Sequence, residues 1–152
     1  MATRPTSELV TDRTLRDVQL LNSKGNYNAT DLNRVEEWCQ YISDLLNEYG
    51  YYVSIVTKTD WTVGLGKPNM TSEINRIKTN IQSLIDAYVV MQSTPEVPST
   101  TRLAINYQEA NDIERILVDL EYLIESMSQY FVYSGVAVSG QSHLWQNRFR
   151  RY

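Results

Sequence analysis

Histidine and cysteine are nearly absent from this chain of 152 residues, which has one of each. A single cysteine, Cys39, excludes an intrachain disulfide and a cysteine-based metal cluster, and its place in an apolar series indicates a buried thiol. The single histidine, His143, has no cysteine or acid close to it in sequence, which argues against a Ser-His-acid or Cys-His catalytic set. A Gly-rich phosphate-binding motif is missing too. Because none of these catalytic or binding patterns is found, we predict no enzyme, no cofactor and no metal site. Two carboxylate pairs are interpreted as solvated helix faces: Glu36/Glu37 and Asp112/Glu114.

Long apolar runs are also missing. No stretch reaches the roughly 18 consecutive apolar residues that a membrane-spanning helix needs, so we predict no membrane span. The N-terminal region is charged and has no apolar segment, so we predict no signal peptide and synthesis in the cytoplasm. A composition of 42% hydrophobic and 21% charged residues is ordinary for a folded domain. The chain therefore fits one globular domain with a substantial core.

Acidic residues are missing from the last part of the chain. From Val132 to Tyr152 there is no Asp or Glu, whereas Arg148, Arg150 and Arg151 are present. Without these three arginines the rest of the chain has 11 basic and 18 acidic residues, a net charge of −7. The overall charge of −4 argues against general nucleic-acid binding. A basic end on an acidic body predicts that this end attaches to its own body or to a neighbour.

What the chain does have is a pattern that occurs three times: acidic, apolar, polar, Arg, apolar. The copies are Asp31–Val35, Glu73–Ile77 and Asp112–Ile116. Each opens an apolar series with the spacing 3-4-3-4-3, which lies along one side of a helix. The three series are Leu32, Val35, Cys39, Ile42, Leu46, Tyr49; Ile74, Ile77, Ile81, Leu84, Tyr88, Met91; and Ile113, Ile116, Leu120, Leu123, Met127, Tyr130. Because such narrow stripes do not stabilise isolated helices, they predict three helices around a shared core.

The predicted fold class is all-α. It has three long helices in a bundle, a short N-terminal helix, a minor two-stranded extended patch and a C-terminal arm. We predict a flexible leader over residues 1–10, a helical bundle domain over 11–133, and an extended aromatic and basic arm over 134–152.

The predicted elements follow from caps, breakers and β-branched runs. The helices are expected at about Thr11–Ser23, Asn28–Tyr49, Asn69 or Thr71 to Met91, and Asn106–Tyr133. Gly25 suits the C′ position after the first helix, and the cap of the second helix is Asn28 or Thr30. Asn106 and Glu109 have the spacing of a capping box, and Gly135 is expected to break the last helix. The extended patch would pair Tyr51–Thr57 with Val136–Gly140.

The repeated arginines Arg34, Arg76 and Arg115 each follow an acid by three residues. An exposed pair at this spacing contributes about 0.3–0.5 kcal/mol, too little to explain three copies as a stability device. Two interpretations stay open. In the first, the repetition is a coincidence of common helix-start chemistry. In the second, the arginines bond to carbonyls of the intervening loops and orient the helices.

Aromatic residues are abundant, with eleven Tyr and three Trp, and the three apolar series include only a few of them. Tyr, Trp and Arg are enriched at the centres of protein interfaces. The residues of the arm that we predict to form a protein interface are Leu144, Trp145, Arg148, Phe149, Arg150, Arg151 and Tyr152. The arm would cover either its own bundle or a neighbouring copy.

Several short motifs resemble those of one group of proteins. They are Thr11–Thr14, Tyr27–Glu36, Lys58–Trp61, Pro95–Pro98 and Tyr107–Glu114. As a set, over about residues 11–135, they resemble small proteins encoded among the tail and virion-structural genes of phages and prophages of Firmicutes. The resemblance implies a non-enzymatic helical component of a tail or baseplate, located in the virion. It implies that the partners are further copies of this protein itself and other phage tail proteins. It carries over no catalytic residue.

Two other functions fit the sequence. Exposed Tyr and Trp side chains would suit a host-surface carbohydrate-recognition module, because aromatic faces stack on sugar rings. A cytoplasmic assembly chaperone is the other alternative, and it would be absent from finished particles.

Overall fold

The computed structural model describes residues 2–62, 70–99 and 105–148, and the side chains of Met70 and of residues 130–148 lie outside this description. In these ranges the chain forms four helices: α1 (Leu15–Gln19), α2 (Ala29–Glu48), α3 (Met70–Ala87) and α4 (Tyr107–Arg148). The described residues contain no β-strand, so the all-α prediction is confirmed for them. The predicted two-stranded patch is wrong: residues 51–57 are extended but unpaired, and residues 136–140 lie inside α4.

Side-chain caps fix where the long helices begin. The Asn28 side chain accepts a hydrogen bond from the Thr30 N–H (2.8 Å), and the Asp31 carboxylate accepts one from the Asn28 N–H (2.9 Å). Before α4, the Asn106 side chain accepts from the Glu109 N–H and the Glu109 carboxylate accepts from the Asn106 N–H, each at 2.9 Å, as their spacing predicts. After α2, Gly50 takes the left-handed conformation (φ +86°), which glycine adopts without strain.

The short N-terminal helix is smaller than predicted, and Gly25 has a different role. The sequence predicts a helix over Thr11–Ser23 with Gly25 following its end, but α1 covers only Leu15–Gln19. Hydrogen bonds from Thr14 and then from Asn22 lower the pKa of the Asp17 carboxyl to about 2. Gly25 packs on the Asp17 backbone so closely that a Cβ would lie 2.2 Å from its carbonyl atoms. Glycine is therefore required there by close approach.

Helix α4 is much longer than predicted. The sequence predicts its end near Tyr133, a break at Gly135 and an extended arm from residue 134, whereas the helix continues to Arg148. A glycine inside a helix costs about 1 kcal/mol relative to alanine, and a helix that is already formed gains one hydrogen bond for each added residue. One glycine is therefore too weak a signal to end it. The remaining predicted arm residues, 149–152, lie outside the described residues.

The core forms where α2, α3 and α4 pack against one another. The predicted apolar series supply most of it, and each helix has consecutive members of its series that are at least 95% buried. These members are Leu32, Val35, Cys39, Ile42 and Leu46; Ile74, Ile77, Ile81 and Leu84; and Ile113, Ile116 and Leu120. Trp38, Leu117 and Ile124, which lie outside the predicted series, are also fully buried.

The three long helices run parallel to one another. Arg34 near the start of α2 bonds to Glu114 near the start of α4, and Tyr51 just after α2 contacts Met127 of α4. Arg76 of α3 bonds to Glu36 of α2, and the rings of Tyr51 and Tyr88 meet at the other end, 4.9 Å apart. Parallel helices require each connecting segment to return along the length of the bundle. Residues 51–61 do so, antiparallel to α2.

Four asparagines hold the extended segments against the helices. Each donates from Nδ2 to the carbonyl oxygen of one residue and accepts from the N–H of that same residue. The pairs are Asn33 with Trp61, Asn47 with Val53, Asn80 with Val56, and Asn111 with Arg13, with distances of 2.7–3.3 Å. A side-chain amide thus satisfies backbone groups that a neighbouring strand would otherwise satisfy. This is why the β-branched run at 51–57 needs no strand partner.

Candidate functional site

A buried network of two arginines and two carboxylates lies between the starts of α2 and α4. Glu114 is fully buried and accepts from the Arg13 guanidinium (2.6 Å) and from Arg34 (2.9 and 3.0 Å). Asp31 accepts from Arg13 at 3.0 Å and also pairs with Arg34. Tyr27 faces this cluster, and burial, followed by the nearby carboxylates, raises the pKa of its phenol. The charges balance inside the network, so it is suited to fixing the fold and not to binding an ion.

A second buried pair joins α3 to α2. Glu36 is fully buried and binds Arg76 through two hydrogen bonds, one of them 2.9 Å long. Arg76 also donates to the Val56 carbonyl at 2.6 Å, and Glu36 accepts from the Lys58 N–H at 3.1 Å. The pair therefore holds two helices and the segment that connects them.

The three predicted helix-orienting arginines have different surroundings. Arg76 bonds to a loop carbonyl as well as to Glu36, whereas the partners of Arg34 are carboxylates. Arg115 pairs with Asp119 of its own helix at 3.0 Å, and its side chain is 54% exposed. Two of the three thus reach a neighbouring helix in the structure.

The interpretation of Glu36 and Glu114 as solvated residues is wrong, since both have no exposed surface. The other members of the two carboxylate pairs named from the sequence are more accessible: Glu37 is exposed and Asp112 is partly exposed. One sequence signal points to the burial on α4. Residues that directly follow the predicted series form a second stripe with the same spacing, Glu114, Leu117, Glu121 and Ile124, and all four are at least 91% buried.

Residues 2–14, which we call the N-terminal strap, are held against α2 and α4. The indole of Trp38 donates to the Ser7 carbonyl at 2.8 Å, and the Val10 N–H donates to Glu114. Arg4 binds Glu121 at 2.7 Å and lies over the Trp38 ring, 4.7 Å from its centroid. The flexible leader over residues 1–10 stays a prediction. Residues 2–10 have specific partners in the structure, and those more than 100 positions away could not be identified from local sequence.

The end of the bundle where α2 and α3 stop exposes apolar side chains. Tyr52 is 90% exposed and Val89 is 58% exposed. Tyr49 and Val90 are also exposed. We call these four residues the apolar end. Trp61, in contrast, is 8% exposed and has Lys58 stacked on its ring, so it offers no open aromatic face.

The predicted interface residues fall into two groups. Leu144, Trp145 and Arg148 occupy positions in the last turns of α4. Phe149, Arg150, Arg151 and Tyr152 lie outside the described residues. The structure thus places the first group on a helix and not on an extended arm.

Cys39 provides a direct check of the core. Its thiol is fully buried, and burial raises its pKa well above the ordinary value. The thiolate is the reactive form, so we expect Cys39 to resist a thiol reagent such as DTNB at pH 8. Addition of denaturant should release one equivalent of thiol per chain. Rapid reaction of the native protein would contradict the burial of this residue.

Comparisons of the chain with protein-family models, with characterised proteins and with solved structures found no match. None of the helices in the described part of the chain combines the length and apolar character needed to cross a membrane. Among residues whose side chains are described (2–62, 71–99 and 105–129), no three His, Cys, Asp or Glu side chains are grouped to hold a metal ion.

Proposed function

We propose that this protein is a non-enzymatic structural or adaptor protein of a phage tail or baseplate. It is made in the host cytoplasm and becomes part of the virion, where it contacts further copies of itself and other tail proteins. The motifs that resemble tail-associated proteins support the phage assignment. The three-helix bundle is the rigid body of this adaptor.

The observation that carries the proposal is the length of α4. It has 42 residues, against 20 in α2 and 18 in α3. Met127 of α4 lies level with the ends of the other two helices, where it contacts Tyr51. From Ser128 to Arg148 the helix continues for about 30 Å, at ~1.5 Å per residue. A rigid body with one long helix beyond its end is suited to joining other proteins.

The body itself supports a role under mechanical load. Buried ion pairs connect α2 to both α3 and α4, and the N-terminal strap lies across α2 and α4. Separating a buried ion pair leaves a charge unpaired, so these pairs disfavour other arrangements of the helices. The acidic body and the basic C-terminal residues give the two regions opposite charge.

The apolar end favours the carbohydrate-recognition module as a second candidate. Tyr52 is almost fully exposed, which leaves a ring face open to a sugar. This candidate predicts binding to purified host cell wall that is lost in Tyr52→Ala and kept in Tyr41→Phe, where the ring is retained in the core.

Purified particles test the proposal. We expect mass spectrometry of gradient-purified phage to detect the protein at a fixed ratio to the major tail protein, because an adaptor has a defined copy number. A capsid-free lysate fraction is the control for carry-over. Presence in lysate but absence from particles would favour the cytoplasmic assembly chaperone and overturn the proposal.

A further inference from the structure

Two apolar series with a seven-residue interval continue along helix α4 beyond the end of the bundle. Leu117 and Ile124 are fully buried in the core. Phe131, Val138 and Trp145 follow them at the same seven-residue interval. A neighbouring series has this interval too: Ile116, Leu123, Tyr130, Ala137 and Leu144. Each series has five members at seven-residue steps, so the two adjacent series form one apolar stripe along one side of the helix, which suits packing against another helix.

Within the body, α2 and α3 cover this stripe, but they end at Glu48 and Ala87. Beyond that level the helix has an unusual composition, because Ser126 to Asn147 contain no Asp, Glu, Lys or Arg. Helices that stand alone in water depend on polar faces and on charged pairs between successive turns. Residues 128–148, which we call the α4 extension, therefore need a partner helix.

We propose that this partner is the α4 extension of a second copy, running antiparallel to the first. The inference rests on the proposed function, in which the chain works by assembling, and it names the first partner in that assembly. The two bodies would lie at opposite ends of a helix pair about 30 Å long.

Steric considerations favour the antiparallel arrangement. The stripe that would meet the partner faces α2 and α3 inside the body, where Leu117 and Ile124 pack. If two extensions ran parallel and in register, the body of the second copy would fall on the space that α2 and α3 of the first already fill. In the antiparallel arrangement each body lies beyond the end of the other chain's helix.

The antiparallel register also brings opposite charges close together. Val138 lies midway between Ser128 and Arg148, so Phe131 of one copy falls opposite Trp145 of the other, and Arg148 falls opposite Ser128. Glu125, which is exposed, lies one turn before Ser128. The basic C-terminal end of one copy is thus brought to the acidic body of the other, and the dipoles of the two helices oppose each other.

A second copy fits better than an unrelated protein because the chain contains both halves of the contact. Its basic end and its acidic body are complementary to each other in charge. The apolar end, with Tyr52 and Val89 exposed, lies where the end of the partner's helix would arrive. The same contact made twice about a twofold axis gives a closed dimer.

The first experiment measures the mass of the full chain in solution by light scattering over a concentration series. We expect the wild type to reach twice the 17.6 kDa of one chain. Val138→Glu places a carboxylate at the centre of the contact and should shift the mass to that of one chain. The matched control, Gln129→Glu, adds the same charge nine residues away, on the opposite side of the helix and at an exposed position, and should keep the dimer.

The second experiment tests orientation with cysteine variants. A tagged Phe131→Cys chain mixed with an untagged Trp145→Cys chain should give a mixed disulfide under mild oxidation. Either variant oxidised alone should give little disulfide-linked dimer. The native Cys39 thiol is buried and does not interfere. Wild-type monomers at all concentrations, a dimer unaffected by Val138→Glu, or disulfides only between identical chains would each overturn the inference. A dimer in a protein that is absent from purified particles would overturn the proposed function alone.

Discussion

Replacement of Glu114 by glutamine should cost about 3–5 kcal/mol of unfolding free energy, the range for breaking one member of a buried ion pair. Glu114 has no exposed surface and accepts hydrogen bonds from Arg13, Arg34 and the Val10 N–H. Glutamine keeps the shape but removes the charge, so the two arginines would share Asp31 alone. Urea denaturation followed by circular dichroism at 222 nm measures the change.

A matched control distinguishes this effect from a general loss of helix charge. Glu37→Gln makes the same chemical change at an exposed position of α2 and should alter stability by less than about 0.5 kcal/mol. For a chain of this size, the Glu114 variant should melt roughly 10 °C lower than the control. Equal stability of the two variants would show that the buried network is energetically neutral.

Removal of residues 2–10 should destabilise the protein by about 3 kcal/mol. The deletion takes away the packing of Leu9 on the core and the acceptor for the Trp38 indole, together with the Val10 N–H that donates to Glu114. Leu9 is partly buried, so its packing contributes about 1 kcal/mol, below the roughly 1.5–3 kcal/mol of a fully buried aliphatic side chain, and each of the two hydrogen bonds contributes about 1 kcal/mol. Acrylamide quenching of tryptophan fluorescence should increase as Trp38 becomes accessible.

Arg4→Ala separates the role of the strap from that of its surface ion pair. The Arg4 side chain is 44% exposed, so its bond to Glu121 should contribute less than about 1 kcal/mol. If the deletion variant melts at the wild-type temperature, residues 2–10 are a loose leader, as the sequence alone predicts.

The parts of the fold that depend on local pattern could be predicted. Apolar spacing identified the buried faces of α2, α3 and α4, and the capping-box spacing of Asn106 and Glu109 located the start of α4. For α2 the sequence offers Asn28 or Thr30 as the cap, and the structure has Asn28. These signals arise from neighbours within one or two turns, which a single sequence contains.

The parts of the fold that depend on distant partners could not be predicted from the sequence. Glu36 and Glu114 looked solvated because their arginine partners lie 40 and 80 or more residues away. The run at 51–57 looked like a strand because the asparagines that bind its backbone come from two helices. The predicted interface around Trp145 lies on a helix and not on an extended arm. The sequence predicts a break at Gly135, but a glycine costs only about 1 kcal/mol in a helix interior.

The position of the N-terminal strap has a consequence for how the chain folds. Arg4 bonds to a residue 117 positions later, and Arg13 to one 101 positions later. Helical proteins usually fold fast because their contacts are local in sequence, but here the strap can dock only once α4 is in place. We therefore expect the strap to dock late in folding, and until it does the Trp38 indole lacks the Ser7 carbonyl that it bonds to in the folded protein.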